Sequence, residues 1–240
     1  TADAVRYYVK AYNATKKETA KYQNKETDEI LTYYKLLGVK TLGADNVYIN
    51  GSRNKFMDSY LDSMISDTKV GTGLPPCTAV DKSEDTDLNG KSLVTSRLRD
   101  TDVETLSIKD NKNGTVTLTI KPKSVQMSSP GADAQGRFFS TLGPMYDTFD
   151  QMLKQNGGKW TTGNAKKNLH MNYTGGTGTI TINTSSGKIT KATYNMKVNV
   201  DVQHVTISGM KNQRVQLRVI VKDTFPMSQE LFDSSNLERL

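Results

Sequence analysis

The stretch that decides the fold is residues 192–203, which read ATYNMKVNVDVQ. Apolar side chains occupy the even positions of this stretch, and polar side chains occupy the odd ones. Successive side chains of a β-strand point to opposite faces, so a period of two places one set in a core and the other in water. The stretch is therefore predicted to be a half-buried strand. It indicates an architecture and does not indicate a chemistry.

Weaker alternation on both sides of this stretch predicts an antiparallel sheet. Two alternating runs within residues 106–120 flank Asn113-Gly114, a pair that favours a tight hairpin turn. Further strands are predicted over residues 169–173, 180–182, 188–207 and 215–221. Alternation on a single face is typical of antiparallel sheets, because strands of parallel sheets are apolar on both faces. The apolar positions change parity after residue 203, so a bulge is expected near His204.

Apolar residues at helical spacing predict four main helices. These helices are expected over residues 2–14, 28–37, 53–65 and 138–153, and a short one is expected after residue 228. The polar stretch 15–25 leaves two alternatives open, a continuation of the first helix or a polar edge strand.

Together these elements predict an α+β fold in a single domain over residues 1–240. A curved antiparallel β-sheet of about six strands, arranged as a meander, is expected to pack on one face against helices, with a helical N-terminal part. The helical part covers about residues 1–66, a Gly- and Pro-containing loop 70–92, the sheet with its helix 104–224, and a tail 226–240. A chain of 240 residues is long enough to bury such a core.

The composition limits the classes of function. The net charge is +7, and Lys greatly outnumbers Arg among the 32 basic residues. Proteins that read nucleic-acid sequence usually rely on Arg for bidentate contacts, so specific nucleic-acid binding is not expected. A spread of Lys suits either a solvated surface or loose attraction to a polyanion. The chain has one cysteine, Cys77, which excludes an intrachain disulfide, and it has no apolar run long enough to span a membrane.

One short motif suggests a calcium site. Asp85, Asp87 and Asn89 follow the D-x-D-x-N-G spacing that begins a calcium-binding loop. The twelfth position of such a loop should supply a bidentate Glu, and here it is Ser96. The alternative is an acidic surface loop that ends in an Asn-Gly turn. No cofactor other than this calcium ion is expected.

Catalytic patterns are weak throughout the chain. His170 and His204 are the only histidines, and neither has a His or Cys close by in sequence, which disfavours a zinc site. The G-x-S-x-G motif of many hydrolases is absent. Gly175-Gly176 stands between two predicted strands and indicates a hairpin turn instead of a phosphate-binding loop. The protein is therefore predicted not to be an enzyme.

The predicted helix 138–153 and the strands that face it are rich in aromatic and Met side chains. Such side chains fill irregular space and can line adaptable apolar pockets. The candidate pocket residues are Phe138, Phe139, Met145, Phe149, Met171, Tyr173 and Met196. The alternative is an ordinary packed core.

Two segments carry a resemblance to a known group of proteins. The helix over residues 5–13 and the segment 178–194, which reads GTITINTSSGKITKATY, resemble an extracellular domain of lipid-anchored surface proteins from Gram-positive gut bacteria. The expected architecture is also similar to bacterial lipoprotein carriers, in which a bent sheet and helices enclose an apolar cavity. The resemblance implies an extracellular, cell-surface location, with any lipid anchor upstream of Thr1.

These observations lead to three expectations about function. The first is a non-enzymatic cell-surface binding domain, which holds an apolar ligand between sheet and helices or binds an anionic wall polymer weakly. The second is a structural or adhesive module that presents the polar sheet face to another protein. The third is a hydrolase, for which the sequence gives the least support. The ligand, the partner and the oligomeric state are not specified by the sequence.

Overall fold

The computed structural model describes residues 2–75, 86–88, 91–93, 95–207 and 209–240, with only the backbone described for 86–88 and 91–93. The helices in these ranges are α1 (Ala2–Lys16), α2 (Lys55–Ile65), α3 (Tyr146–Gln155), α4 (Ala165–Asn168) and α5 (Gln229–Asp233). The strands are β1 (Thr19–Asn24), β2 (Ile30–Tyr34), β3 (Gly38–Ile49), β4 (Ser52–Arg53), β5 (Asp67–Thr72), β6 (Thr86–Leu88), β7 (Lys91–Leu93), β8 (Val103–Asp110), β9 (Thr115–Pro122), β10 (Val125–Gln126), β11 (Lys159–Trp160), β12 (Leu169–Tyr173), β13 (Thr177–Asn183), β14 (Lys188–Ile207), β15 (Met210–Phe225) and β16 (Leu237–Arg239). The fold is α+β, with strands that are antiparallel to their neighbours, as predicted.

The main sheet is larger than predicted. Within the described ranges it has eleven strands, and its principal order is β4-β3-β15-β14-β13-β9-β8. The hairpin β8–β9 and the strands β12, β13, β14 and β15 are the predicted parts. The expectation of a six-strand meander is wrong, because β9 pairs with β13 and β15 pairs with β3, which are not consecutive in the chain. Alternation did not reveal β3, since its sequence GVKTLGADNVYI places Gly and Asp where a clear pattern would need apolar residues.

Strand β14 organises the main sheet. It runs over Lys188–Ile207, which are the predicted bounds, and its side chains alternate between buried and solvent-facing positions. One edge pairs with β15, and the other is shared by β13, β12 and β11 in turn. The register shifts between Val202 and Val205, and His204 has a φ of +53°, so the predicted bulge is confirmed.

Helix α1 covers the inner face of the sheet and confirms the first predicted helix. Tyr8 and Tyr12 from α1 are fully buried, and the Phe138 ring packs against both Tyr8 and the sheet residue Tyr194. The Tyr8 and Tyr194 hydroxyls lie 2.9 Å apart in a hydrogen bond. This pairing satisfies two polar groups that would otherwise be costly in an apolar core.

Residues 28–37 are not a helix, which corrects that prediction. Strand β2 (Ile30–Tyr34) lies there and pairs with β1 in a separate sheet of order β16-β1-β2. Aromatic and β-branched side chains suit a strand, and pairing with β1 decides between two patterns that a short apolar run cannot separate. Strand β1 also settles the open choice over residues 15–25. Helix α1 ends at Lys16, and a polar strand follows.

The predicted helix 138–153 is also only partly correct. Helix α3 begins at Tyr146, whereas Phe138 and Phe139 lie in a turn-rich segment and are buried in the core. Pro144 explains the difference, because a proline disfavours helical backbone at the residue before it, and Gly143 has a φ of +73°. The apolar spacing therefore reflects two separate contributions to the core.

Strand β5 extends into the region predicted as the loop 70–92, and the hairpin β6–β7 lies in the same region.

Helix α2 confirms the predicted helix 53–65 and protects the free edge of β3. Asp62 accepts a hydrogen bond of 2.8 Å from the Ala44 backbone N–H, and Asp58 accepts one of 2.7 Å from Val47. Covering an edge in this way prevents pairing with another chain. None of the described helices has the length and apolarity that crossing a membrane would require.

Candidate functional site

The outer face of the main sheet carries a row of hydroxyl side chains. The row crosses five strands in register and consists of Ser107, Thr119, Thr179, Thr193 and Thr224. All five side chains are exposed or half-exposed. Neighbouring strands lie about 4.8 Å apart, so the row is about 19 Å long. We call this row and its two neighbouring rows the threonine face.

The two neighbouring rows place lysines beside the hydroxyl row. One consists of Lys109, Thr117, Thr181 and Lys191, and the other of Thr177, Asn195, Lys222 and Thr41. The Thr117 and Thr181 hydroxyls are hydrogen-bonded across the strands at 3.3 Å. The buried Asn195 side-chain oxygen has no hydrogen-bond partner within the described residues. The result is an open polar surface with hydrogen-bonding groups at regular spacing.

The charges on this surface are unbalanced. Lys109, Lys191 and Lys222 are exposed, and no side-chain partner for their ammonium groups occurs among the described residues. Four carboxylates elsewhere on the same strands are already paired with other cations. These ion pairs are Glu104–Lys121, Asp110–Lys112, Asp201–Arg214 and Asp45–Arg218. The threonine face therefore presents positive charge to solvent.

Hydrogen bonds keep two of these carboxylates ionised by lowering their pKa. Burial would raise the pKa of Asp201, but hydrogen bonds from Arg214 and Gln203 outweigh burial and leave this pKa below its ordinary value. Hydrogen bonds from the Lys112 side chain and backbone lower the pKa of Asp110. Both acids therefore keep their partners ion-paired at neutral pH, and the unpaired lysines determine the charge of the face.

The candidate calcium residues lie largely outside the described residues. Asp85 and Asn89 are not described, and for Asp87 only the backbone is, in β6 opposite Ser92. Among the described side chains, no group of three or more His, Cys, Asp or Glu is placed to hold a metal ion. Calcium binding by the 85–89 loop stays a prediction, and Cys77 is likewise outside the described residues.

The apolar pocket candidates belong to the core of the main sheet. Five of them are buried in one cluster, namely Phe138, Phe139, Met171, Tyr173 and Met196. Met145 and Phe149 are half-buried against that cluster, and the Phe149 ring stacks on Trp160 with 6.3 Å between centroids. The structure thus brings all seven together, and they pack against one another with the tyrosines of α1. An apolar ligand among them remains an untested prediction.

The two histidines lie apart from each other. His170 is exposed on β12 opposite Asp201, and the His204 Nδ1 lies 2.6 Å from the Asn212 side-chain oxygen at the bulge. An amide partner supplies neither a nucleophile nor a base for catalysis. This geometry gives the hydrolase interpretation no support.

Sequence reasoning missed a buried charged cluster beneath α1. Asp223 is 3% exposed, and one of its carboxylate oxygens has no hydrogen-bond partner in the described part of the chain. The Lys40 Nζ lies 3.7 Å from that oxygen, while Lys16, also buried, donates to the Leu74 carbonyl at 2.7 Å. Burial raises the pKa of Asp223 to about 6, and the charges of Lys40 and Lys16 offset this only in part. The sequence signal that could have revealed this cluster is Asp223 itself, a single acid at an inward position of β15.

A second surface lies on α2. Phe56, Tyr60 and Met64 are spaced by one helical turn and are 79%, 48% and 45% exposed. The other apolar stripe of α2, which includes Leu61 and Ile65, is half-buried towards the sheet. Helix α2 therefore displays an apolar stripe that its own fold does not use.

Comparisons of the chain with protein-family models, with curated proteins and with solved structures found no match. Neither a relative nor a structural neighbour therefore indicates a function.

Proposed function

We propose that this protein is a non-enzymatic binding domain whose threonine face takes an extended anionic polysaccharide. The observation that carries the proposal is the uncovered hydroxyl row between lysines that lack ion-pair partners within the described residues. An extended polymer suits this surface, because the row is open and about 19 Å long, while a small molecule would be buried on one side only.

The chemistry of the rows indicates both parts of the ligand. Threonine hydroxyls donate and accept hydrogen bonds, as do the hydroxyl groups of sugars. Lysines attract phosphate or carboxylate groups as point charges, without the fixed geometry of Arg. Charges spread in this way over an open surface are screened by salt, so weak and salt-sensitive binding is expected.

The interior of the fold supports the polymer over an apolar ligand. Tyr8, Tyr12 and Phe138 occupy the space between α1 and the sheet, and all three are fully buried. Aromatic rings packed at centroid distances of 5.7 and 6.0 Å fill this region as they would in an ordinary core. A cell-surface location, where such polymers occur, is the expectation that follows from the resemblance of residues 178–194.

Chromatography on immobilised polygalacturonate tests this proposal. The protein is expected to be retained at low salt and released before about 0.5 M salt, and a neutral dextran column should not retain it. Replacing Thr179 and Thr193 by Val keeps the side-chain shape and removes two hydroxyls of the row. Affinity for polygalacturonate should fall about fivefold for each hydroxyl, since one hydrogen bond is worth about 1 kcal/mol.

Two controls separate the sugar contacts from charge alone. Thr27→Val removes an exposed hydroxyl in the turn between β1 and β2, which belong to the separate three-stranded sheet, and should leave retention unchanged. Inorganic polyphosphate has no hydroxyl groups to donate to the threonines, so its binding should fall less than that of polygalacturonate in the Thr179 and Thr193 variant. Equal retention on dextran, or unchanged affinity in the double variant, would refute the role of the hydroxyl row.

A second candidate is a protein-interaction module, and the α2 stripe is the observation that favours it. Contact with a partner would bury Phe56, which is 79% exposed. A stripe of three side chains on an 11-residue helix is small compared with about 1,000 Å² expected of a stable interface. Concentration-dependent association that Phe56→Ser abolishes, together with no retention on polygalacturonate, would favour this candidate over the polysaccharide.

A further inference from the structure

A groove of about 400 Å³ lies between α1 and the segment 98–100. It is on a different part of the molecule from the threonine face and shares no residue with it. Its floor is formed by Val5, Val9 and Leu98. Val5 and Leu98 are 3% and 5% exposed, so the floor is continuous with the core, and Val9 is half-exposed along it. Sites for small molecules usually have volumes of about 300–1,000 Å³, so the groove is large enough for one.

The rim of this groove is mainly cationic. Arg6, Lys10 and Arg99 line it, and Asp100 is the one acid among the residues that line it. Arg6 also contacts Asp3, but both side chains are largely exposed, so this pair is screened by water and its charge is easily shared with a ligand. The Lys10 ammonium group has no partner among the described residues. Positive charge therefore predominates beside an apolar floor.

The helical geometry of α1 explains this arrangement. Val5 and Val9 are four residues apart and form one ridge, and Arg6 and Lys10 form the adjacent ridge. The segment that contains Leu98 and Arg99 runs alongside α1, where the Ser96 backbone N–H donates to the Asn13 side chain at 2.8 Å. An apolar strip and a cationic strip thus lie in parallel along the groove.

We propose that this groove binds a single-chain amphipathic anion, of which a free long-chain carboxylate is the simplest example. The chain would lie along the half-exposed Val9 and over the buried Val5 and Leu98, and the apolar surface removed from water would be mainly that of the ligand itself. The carboxylate would lie among Arg6, Lys10 and Arg99. Binding requires both the apolar chain and the carboxylate of the ligand. An uncharged hydrocarbon and a polyanion without a tail each lack one of these parts.

Calorimetric titration with sodium dodecanoate, below the concentration at which it forms micelles, tests the proposal. Saturable binding of one molecule per protein is expected. Dodecyltrimethylammonium has the same tail and the opposite charge, and it should not bind saturably. The double variant Lys10→Gln/Arg99→Gln should bind dodecanoate about tenfold more weakly, whereas Lys17→Gln, an exposed change just after α1, should bind as the unchanged protein does.

Other outcomes would overturn the proposal. These are equal binding of the cationic analogue, no saturable binding, or unchanged affinity in the double variant with an unchanged melting temperature. Binding to phosphatidylglycerol vesicles without binding of monomeric dodecanoate would indicate a membrane surface as the ligand instead. Because the threonine face is separate, replacing its lysines should not alter dodecanoate binding, so the two proposals can fail independently.

Discussion

Val198→Asp is expected to destabilise the protein by about 4 kcal/mol or more, because it buries a charge without a partner. Val198 is fully buried in the middle of β14, opposite Tyr173 on β12 and Val219 on β15. The Val219 side chain has no hydrogen-bond donor, and the Tyr173 hydroxyl lies at the Leu142 backbone N–H, from which it accepts a hydrogen bond of 3.2 Å. Urea unfolding, monitored by circular dichroism, measures the change in the free energy of unfolding.

The adjacent residue provides a matched control. Asn199→Asp introduces the same charge one position along the strand, on the exposed outer face opposite Arg218. Its free energy of unfolding should change by no more than about 0.5 kcal/mol, as is usual for surface substitutions. Similar losses in the two variants would contradict the orientation of β14 that underlies both faces of the sheet.

Asp223 should make the protein less stable as the pH rises from about 4 to above 6. Its pKa rises from 3.8 in the unfolded chain to about 6 in the fold, chiefly through burial. The folded state thus binds more protons in this interval, and the free energy of unfolding falls as pH rises through the folded pKa. At about 1.4 kcal/mol per pKa unit, the full contribution is about 3 kcal/mol, of which about 2 kcal/mol lies between pH 4.5 and 7.5.

Denaturant unfolding of Asp223→Asn across this pH range tests the prediction. The variant should lack the decline and should gain stability relative to the unchanged protein as pH rises. Asp201→Asn is the control, since the pKa of Asp201 is lowered and its contribution is lost only as the solution becomes acidic. If the free energies of unfolding of Asp223→Asn and of the unchanged protein follow parallel pH profiles, folding does not raise the pKa of Asp223, and the prediction is wrong.

The sequence predicted those parts of the fold that local pattern determines. The alternation of residues 192–203 specified β14, and the change of parity located the bulge at His204. The helix prediction over 138–153 failed because apolar spacing was followed across Gly143-Pro144, where helical backbone is disfavoured. Local pattern also could not separate strand from helix over residues 28–37, where pairing with β1 decides.

The candidate site depends on register, which the sequence does not specify. Thr119, Thr179 and Thr193 are each visible as outward positions of a strand. Their alignment in one row requires β9 to pair with β13, two strands that are more than 50 residues apart in the chain. Asp223 was different, because an acid among Val219, Val221 and Phe225 at inward positions is a local signal of a buried charge.

The most direct test of the polysaccharide proposal compares two triple variants of equal charge on immobilised polygalacturonate. The first carries Lys109→Gln, Lys191→Gln and Lys222→Gln on the threonine face. The second carries Lys154→Gln, Lys166→Gln and Lys167→Gln, three exposed positions on α3 and α4. At about 0.5 kcal/mol for each exposed ionic contact, the first variant should lose roughly tenfold in affinity, and the second should stay within about twofold. Equal losses in both variants, or no loss in the first, would contradict binding at the threonine face.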